Sequence, residues 1–174
     1  TRISMIHNGK FLIDSNVFIE AKNFAYNFNY CKIFWDFLLA LHINGLIYSI
    51  NAVKKELCAK DDPLCKWIKE ELPSSFFEDE HSSIENYAKL INWSTKLDVT
   101  EKAKFDFASH EKADAFLIAH AMTHGYTIIT HEKPSGGKPK KRIMIPDAAA
   151  SHGVKTLTLY EFLPRYASHN FSLK

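Results

Sequence analysis

Cysteine is scarce in this sequence, and its few cysteines form no pattern. Cys31, Cys58 and Cys65 are an odd number with no paired spacing, which argues against a disulfide framework and against a zinc knuckle. The chain also lacks an apolar run near the roughly 18 residues that span a bilayer, and no segment typical of a signal peptide opens it. These absences predict a cytoplasmic protein that makes no contact with a membrane.

A strong charge imbalance is absent as well. The 22 Lys and Arg residues nearly balance the 20 Asp and Glu residues, for a net charge of +2, so the sequence does not predict strong non-specific binding to nucleic acid. Hydrophobic residues make up 46% of the 174 residues and aromatic residues 13%, which is ample for one core. With no internal repeat, we predict a single domain over residues 1–174.

Short apolar strands alternate with amphipathic helices along the chain. The pattern predicts strands at 11–13, 46–50, 127–130 and 154–158, and helices at 30–42, 51–60, 113–124, 145 onward and 159–166. Such alternation is typical of a three-layer α/β/α sandwich with a mainly parallel central sheet. Residues from about 61 to 107 read as helical and carry too little apolar mass for a core of their own. They predict a helical insertion into the single domain.

Four acids fall where such a fold would bring them together. Asp14 comes directly after the first strand, Glu56 lies in the helix after the second strand, and Glu132 follows the third predicted strand. Because the carboxyl ends of parallel strands share one edge of the sheet, these three acids are expected to meet there. Asp114 begins a helix that enters from elsewhere, so its place at this edge is an inference. Each acid alone also has an ordinary interpretation, as a helix-terminus, solvated or loop residue.

A cluster of carboxylates needs a positive partner, because the charges repel one another. Mg²⁺ and Mn²⁺ prefer hard oxygen ligands, so we predict a divalent metal held by Asp14, Glu56 and Asp114, with Glu132 completing or orienting the site. Such a metal can polarise a phosphodiester oxygen and activate a bound water. The sequence offers no obvious alternative nucleophile.

Four stretches resemble the PIN-like domain, the nuclease fold of VapC-type toxins and related RNases. They are Leu-Ile-Asp-Ser-Asn-Val-Phe-Ile-Glu at 12–20, Val-Lys-Lys-Glu-Leu at 53–57, Lys-Ala-Asp-Ala-Phe-Leu-Ile-Ala-His-Ala at 112–121 and Thr-Ile-Ile-Thr-His-Glu at 127–132. The helical insertion resembles that of a PIN-like subfamily found beside antitoxin-type genes. The resemblance implies an endoribonuclease dependent on Mg²⁺ or Mn²⁺, often a toxin that a cognate antitoxin neutralises.

The resemblance also assigns residues. By position, Asp14, Glu56 and Asp114 match the three central acids of the family, and Asn16 matches its small polar residue near the first acid. The fourth acid of the family is usually an Asp two residues after a Thr. Here Thr130 leads instead to Glu132, and the alternative fourth acid is Asp147.

A Pro-, Gly- and Lys-rich loop at 131–142 is a candidate contact for RNA phosphates. The predicted substrate-binding residues are His131, Lys138, Lys140, Lys141 and Arg142, and a solvated flexible loop is an equal alternative. A non-catalytic RNA-binding module of the same fold is the main alternative function, although a binder would not need the acids. Haloacid-dehalogenase phosphatases also open on a strand and an Asp, but they need a second Asp where this chain has Asn16.

Other polar and aromatic residues leave further alternatives. His120 and His124 have zinc-ligand spacing, but no Glu that could act as a base lies between them, so we expect His120 to pack and His124 to favour the helix carboxyl end. Five aromatic residues are interpreted either as core or as a surface for a partner such as an antitoxin: Phe34, Trp35, Phe37, Phe76 and Phe77. A homodimer also stays open.

Overall fold

Five parallel strands form one sheet in the order β3-β2-β1-β4-β5. The structure, a computed structural model, describes residues 9–137 and 140–167. The strands are β1 (Phe11–Ile13), β2 (Ile47–Ile50), β3 (Phe77–Glu78), β4 (Thr127–Ile129) and β5 (Thr156–Leu157). The helices are α1 (Ser15–Asn23), α2 (Lys32–Ile43), α3 (Asn51–Leu57), α4 (Pro63–Glu70), α5 (Ile84–Thr95), α6 (Glu101–Ala108), α7 (Asp114–His124), α8 (Ile145–Ala150) and α9 (Leu159–Tyr166).

The helices pack in two groups that sandwich the sheet. On one side α1 contacts α3 and α4, and on the other side α7 contacts α5, α6 and α8. Right-handed crossovers explain the division, because the chain first moves outward from β1 to β3 and then crosses back to β4 and β5. The predicted three-layer α/β/α sandwich is confirmed. Among the described residues, no helix is both long and apolar enough to cross a bilayer.

The middle of the sheet is covered on both faces. Phe11, Leu12 and Ile13 of β1 are all buried, as are Ile128 and Ile129 of β4, which explains why these strands read as continuous apolar runs. The chain leaves β1 toward β2 on one side and returns to β4 on the other. In sheets of this kind ligands bind at the carboxyl ends of the strands where the order reverses. The fold therefore directs attention to the residues that follow β1 and β4.

The segment predicted to be entirely helical contributes a strand. Phe77 pairs with Ser49 and Glu78 with Ile50, so β3 extends the sheet at one edge, and short 3₁₀ turns at Ser74–Phe76 and Glu80–Ser83 flank it. The helical prediction for this stretch was wrong because two residues are too few for an alternating pattern. The exposed edge of β2, remote in sequence, determines the pairing.

The five aromatic residues with two interpretations belong to the core. Each is 7% exposed or less, so the alternative that they form a surface for a partner is wrong. Trp35 illustrates their packing: its ring stacks on Phe28 with centroids 4.2 Å apart, and its Nε1 donates to the Tyr26 carbonyl oxygen at 2.7 Å. Any partner must dock on other residues.

His120 packs in the interior as expected. It is 1% exposed, with Nδ1 2.9 Å from Ser83 Oγ and Nε2 3.4 Å from Glu78 Oε1. His124 lies in the last turn of α7, also as expected, with Nε2 3.2 Å from Ser82 Oγ. Through these contacts with Ser82 and Ser83, the histidine pair connects α7 to the turn after β3.

The burial of His120 should add an acid-sensitive contribution to stability. Burial, followed by the neighbouring His124, lowers the pKa of His120 below its ordinary 6.5. At this residue the folded protein then binds fewer protons than the unfolded chain, so the part of the free energy of unfolding that His120 contributes should fall as the pH drops below about 6.5. Urea unfolding of the wild type and of His120→Gln separates this part from that of the other titrating groups, and the difference, wild type minus variant, should decrease between about pH 7.5 and pH 5.5. A constant difference would contradict this assignment.

Candidate active site at the carboxyl edge of the sheet

Asp14 lies buried between the ends of β1 and β4. It precedes α1, yet its carboxylate accepts no capping hydrogen bond from the described residues of that helix. Instead, Oδ2 accepts a hydrogen bond of 2.8 Å from Thr130 Oγ1, across the point where the strand order reverses. The interpretation of Asp14 as a simple helix cap is therefore wrong.

The four predicted acids are close enough to influence one another. The pKa of Asp14 is raised from 3.8 to about 8, first by burial and then by the charges of Asp114, Glu132 and Glu56, against the lowering effect of the Thr130 hydrogen bond. An isolated buried acid would lack these charge contributions. The structure thus places all four acids around one point, as the sequence predicts.

Asp114 reaches this point from the opposite helical layer. It opens α7, and burial raises the pKa of its carboxyl, whereas the charges of Arg142 and Lys112 lower it. Its charge is the largest of the three that act on Asp14, so Asp114 lies near the end of β1, as inferred. A helix amino terminus stabilises a carboxylate, so both the terminus of α7 and Arg142 favour the ionised form of Asp114.

Glu56 joins the two helical layers. Its Oε1 accepts a hydrogen bond of 2.7 Å from the backbone N–H of Ala113, the residue before α7. Glu56 is half-buried in α3, so it is not an ordinary solvated side chain. This bond holds its carboxylate beside Asp114.

Glu132 is tied down by two donors. Its Oε2 accepts a hydrogen bond of 2.8 Å from the backbone N–H of Ile145 at the start of α8, and its Oε1 accepts from Arg142 Nη2. The same Nη2 lies 3.6 Å from Asp114 Oδ2. Arg142 therefore bridges two acids of the cluster, a contact that the sequence does not indicate.

The predicted supporting residues hold the turn after β4 against β1. Asn16 Oδ1 accepts a hydrogen bond of 3.2 Å from the His131 N–H, and Thr130 Oγ1 accepts one of 3.1 Å from the Glu132 N–H. Since Thr130 also donates to Asp14, this turn and the first acid move together. His131 itself points toward α1, with Nε2 3.4 Å from Glu20 Oε2.

Asp147, the alternative fourth acid, contacts the loop, and its charge also raises the pKa of Glu132. Its Oδ2 accepts a hydrogen bond of 3.2 Å from the Ser135 N–H. It lines a cavity of about 350 Å³ with Trp93 and Met144, separate from the cleft that holds Glu56 and Asp114. Of the two alternatives, Glu132 is the one that lies with Asp14.

A cleft of about 920 Å³ opens beside the cluster. Glu56 and Asp114 line it together with Ala103 and Phe107, which place α6 of the predicted insertion in its wall. Four cations also line it: Lys55, Lys112, Lys141 and Arg142. Sequence reasoning missed Lys55 and Lys112, although each stands one or two residues before a predicted acid.

The remaining predicted loop residues lie apart. Lys140 lines a second depression with Lys133 and Met144, and its carbonyl oxygen accepts a hydrogen bond of 2.7 Å from the Thr100 N–H before α6. Lys138 lies outside the described residues. Of the predicted residues that the structure describes, Lys141 and Arg142 line the cleft beside the acids.

The donor chemistry of the cluster fits a hard divalent cation, although its present contacts do not form a finished metal site. Within residues 9–137 and 140–167, no three His, Cys, Asp or Glu side chains are arranged to hold a metal ion. Two of the carboxylates are engaged elsewhere: Glu56 accepts a hydrogen bond from the Ala113 N–H, and Glu132 accepts one from Arg142. Yet every donor is an oxygen, and a cation would relieve the repulsion that raises the pKa of Asp14.

The comparisons with known proteins give a family but no activity. No curated protein matches the chain significantly. One family model, described as a domain of unknown function (DUF4411), matches residues 11–170, which include all five strands and all four acids of the cluster. The resemblance to PIN-like domains is not tested by this match and stays a prediction. With most of its length matched, the chain belongs to the DUF4411 family.

Proposed function

We propose that this protein is a metal-dependent endoribonuclease that hydrolyses RNA phosphodiesters. The observation that carries the proposal is the buried Asp14 surrounded by Asp114, Glu132 and Glu56 at the end of β1. Burial among like charges disfavours the ionised form of Asp14, so the arrangement does not serve folding. Perturbed carboxyls of this kind concentrate at functional sites, and the resemblance to PIN-like nucleases indicates which chemistry they serve.

Asp14, Glu56 and Asp114 would hold Mg²⁺ or Mn²⁺. When bound, such a cation polarises a phosphodiester oxygen and lowers the pKa of an attached water. The chain itself orients the acids: Thr130 Oγ1 fixes the carboxylate of Asp14, and the Ala113 N–H fixes that of Glu56. Glu132 would orient the site through the start of α8.

The cleft would bind the RNA backbone. Lys55, Lys112 and Lys141 line it around Glu56 and Asp114, so phosphates can be neutralised beside the acids. The volume of about 920 Å³ is at the upper end of the range of small-molecule sites, which suits a nucleotide.

A non-catalytic RNA-binding module is the second candidate. Arg142 favours it, because the guanidinium already partners Glu132 and Asp114, so these acids have a structural role without a metal. The two functions differ in one measurable respect, which is cleavage.

The role of a toxin neutralised by an antitoxin rests on the resemblance alone. The aromatic residues first considered as a dock lie in the core, so an antitoxin would bind elsewhere. The cleft itself is one place where such a partner would stop RNA from entering.

Loss of Asp114 should abolish cleavage without unfolding the protein. A mixed RNA pool incubated with Mg²⁺, with Mn²⁺ or with EDTA should be cut only with metal, and Asp114→Asn should reduce the rate roughly 10³-fold, as removal of one group of a catalytic constellation does. Circular dichroism should show an unchanged fold. Asp106→Asn is the matched control, because Asp106 lines the same cleft outside the cluster, and it should retain activity.

The contrary outcomes are distinct. Cleavage in EDTA would contradict metal dependence, and an active Asp114→Asn variant would contradict the assignment of that acid. A folded wild type that binds RNA without cutting it would support the second candidate function.

A further inference from the structure

Two rings stand beside the acid cluster on the side away from the cleft. Tyr160, near the start of α9, is 61% exposed, and its ring centroid lies 5.5 Å from that of His131. We call this pair the aromatic ledge. Neither ring belongs to the core described above, and Tyr160 is the more exposed of the two, since the His131 side chain is 10% exposed.

The aromatic ledge adjoins the proposed catalytic acids through the order of the strands. Glu56 follows β2, Asp14 follows β1, His131 follows β4 and Tyr160 follows β5, and these strands are neighbours in that order. His131 is the residue after Thr130, which donates to Asp14. Since neighbouring strands are about 4.8 Å apart, the ledge begins within about one nucleotide of the acids.

The ledge is held by rigid elements. Two residues of α1 hold His131: its backbone N–H donates to Asn16 Oδ1, and its Nε2 lies beside Glu20 Oε2. The start of α9 is capped by Thr158, whose Oγ1 accepts a hydrogen bond of 3.1 Å from the Glu161 N–H. Sites on fixed elements keep their geometry when a ligand arrives.

The charged residues on the two sides of the acid cluster differ, which indicates the part of a nucleotide that each side can bind. The cleft carries Lys55, Lys112 and Lys141 among its acids, so a phosphate finds cations there, whereas Glu20 beside the ledge repels a phosphate. A ring that is exposed and next to a carboxylate suits the face of a nucleobase. Bases stack on aromatic side chains regardless of sequence, but only an unpaired base can be splayed out to do so.

We propose that the aromatic ledge stacks an unpaired nucleobase next to the scissile phosphate, with Tyr160 as the stacking ring. The position of the scissile phosphate rests on the proposed function. The backbone enters through the cleft, where it meets the lysines, the phosphodiester lies over the acids, and the following base rests on Tyr160. Tyr160 is thus a specificity-determining residue that the sequence motifs do not contain.

The test measures binding separately from cleavage. The probe is a short fluorescein-labelled single-stranded RNA in EDTA, compared with a hairpin duplex of the same base composition. Tyr160→Ala should weaken single-strand binding about tenfold, within the range for loss of one stacked base, and leave duplex binding unchanged. Tyr160→Phe keeps the ring and should stay within about twofold of wild type. Ile43→Ala removes another exposed side chain, at the carboxyl end of α2 and away from the ledge, and should have no effect.

An abasic scan makes the test specific. Replacing one nucleotide of the probe by an abasic one should weaken wild-type binding at a single position, and Tyr160→Ala should be insensitive at that position. If bases stacked on some other part of the protein, the effect of the abasic position would be the same in the wild type and in Tyr160→Ala.

The failures of the two proposals are distinguishable. If the wild type cuts RNA but Tyr160→Ala binds the single strand as tightly as wild type, the ledge proposal is overturned and the nuclease stands. If binding depends on Tyr160 but no metal yields cleavage, stacking is supported and the nuclease proposal fails. Equal affinity for duplex and single strand, or no RNA binding at all, overturns the ledge.

Discussion

Asp14→Asn should give a protein that no longer cuts RNA and yet is more stable than the wild type above neutral pH. The reason lies in the surroundings of Asp14, where burial and three neighbouring acids raise its pKa to about 8. An Asn side chain carries no charge at any pH and can still accept the hydrogen bond from Thr130. The substitution therefore removes the repulsion and keeps the contact.

The direction of the pH effect follows from proton binding. Between its ordinary pKa of 3.8 and about 8, Asp14 holds a proton in the folded protein and has lost it in the unfolded chain. Stability therefore falls as the pH rises through this window. The full loss above about pH 8 is on the order of 5 kcal/mol as an upper bound. Asp14→Asn should lack this fall.

Urea unfolding in EDTA measures the effect directly. The wild type and Asp14→Asn should have similar free energies of unfolding near pH 4.5, and the variant should be more stable by several kcal/mol near pH 9. Asp106→Asn, in the same cleft, should follow the wild type. An Asp14→Asn variant that is less stable than wild type near pH 9 would show that Asp14 is ionised in a compensated site.

Arg142→Gln should strengthen the binding of a divalent metal. The guanidinium contacts Glu132 and lies 3.6 Å from Asp114, so it competes with any other cation for the same oxygens. Because 59% of the Arg142 side chain is exposed, solvent weakens both contacts. Their removal should raise the affinity for Mn²⁺ about five- to tenfold, which corresponds to roughly 1 kcal/mol.

Titration calorimetry with Mn²⁺ and no RNA gives the affinities. Arg142→Lys keeps the charge but not the fork of donors and should fall between wild type and Arg142→Gln. Lys140→Gln is the matched control, because it removes a positive charge from the same loop at a residue that does not line the cleft with Glu56 and Asp114. Weaker or unchanged Mn²⁺ binding by Arg142→Gln would mean that the guanidinium does not occupy the place of the metal.

Much of the fold follows from local sequence patterns. β1 and β4 are recognisable because both are covered on two faces, and the same patterns place Asp14 and Glu132 at one edge of the sheet. β3 could not be found in this way, since two residues carry no period and their partner β2 is remote in sequence. The sequence also left open whether the five aromatic residues lie in the core or on a partner surface, because an apolar helical stripe does not indicate what packs against it.

The sequence indicated which acids form the candidate site, but it did not indicate the residues that contact them. The contact of Arg142 with Asp114 joins residues far apart in the chain, and the hydrogen bond from Ala113 to Glu56 crosses between helical layers. Such partners depend on how the layers meet, which no local pattern records. Tyr160 was missed for a related reason, since only the order of the strands brings α9 next to the acids.

Both outer strands of the sheet are very short. β3 and β5 contain two residues each, so either edge exposes only a couple of backbone groups to another chain. Brief edges are a recognised protection against aggregation, in which sheets join edge to edge. Association of two copies by β-strand addition is therefore disfavoured, and any homodimer would rest on helix surfaces and loops. The helices and loops are thus the parts of the fold left for assembly, and the carboxyl ends of the strands carry the proposed site.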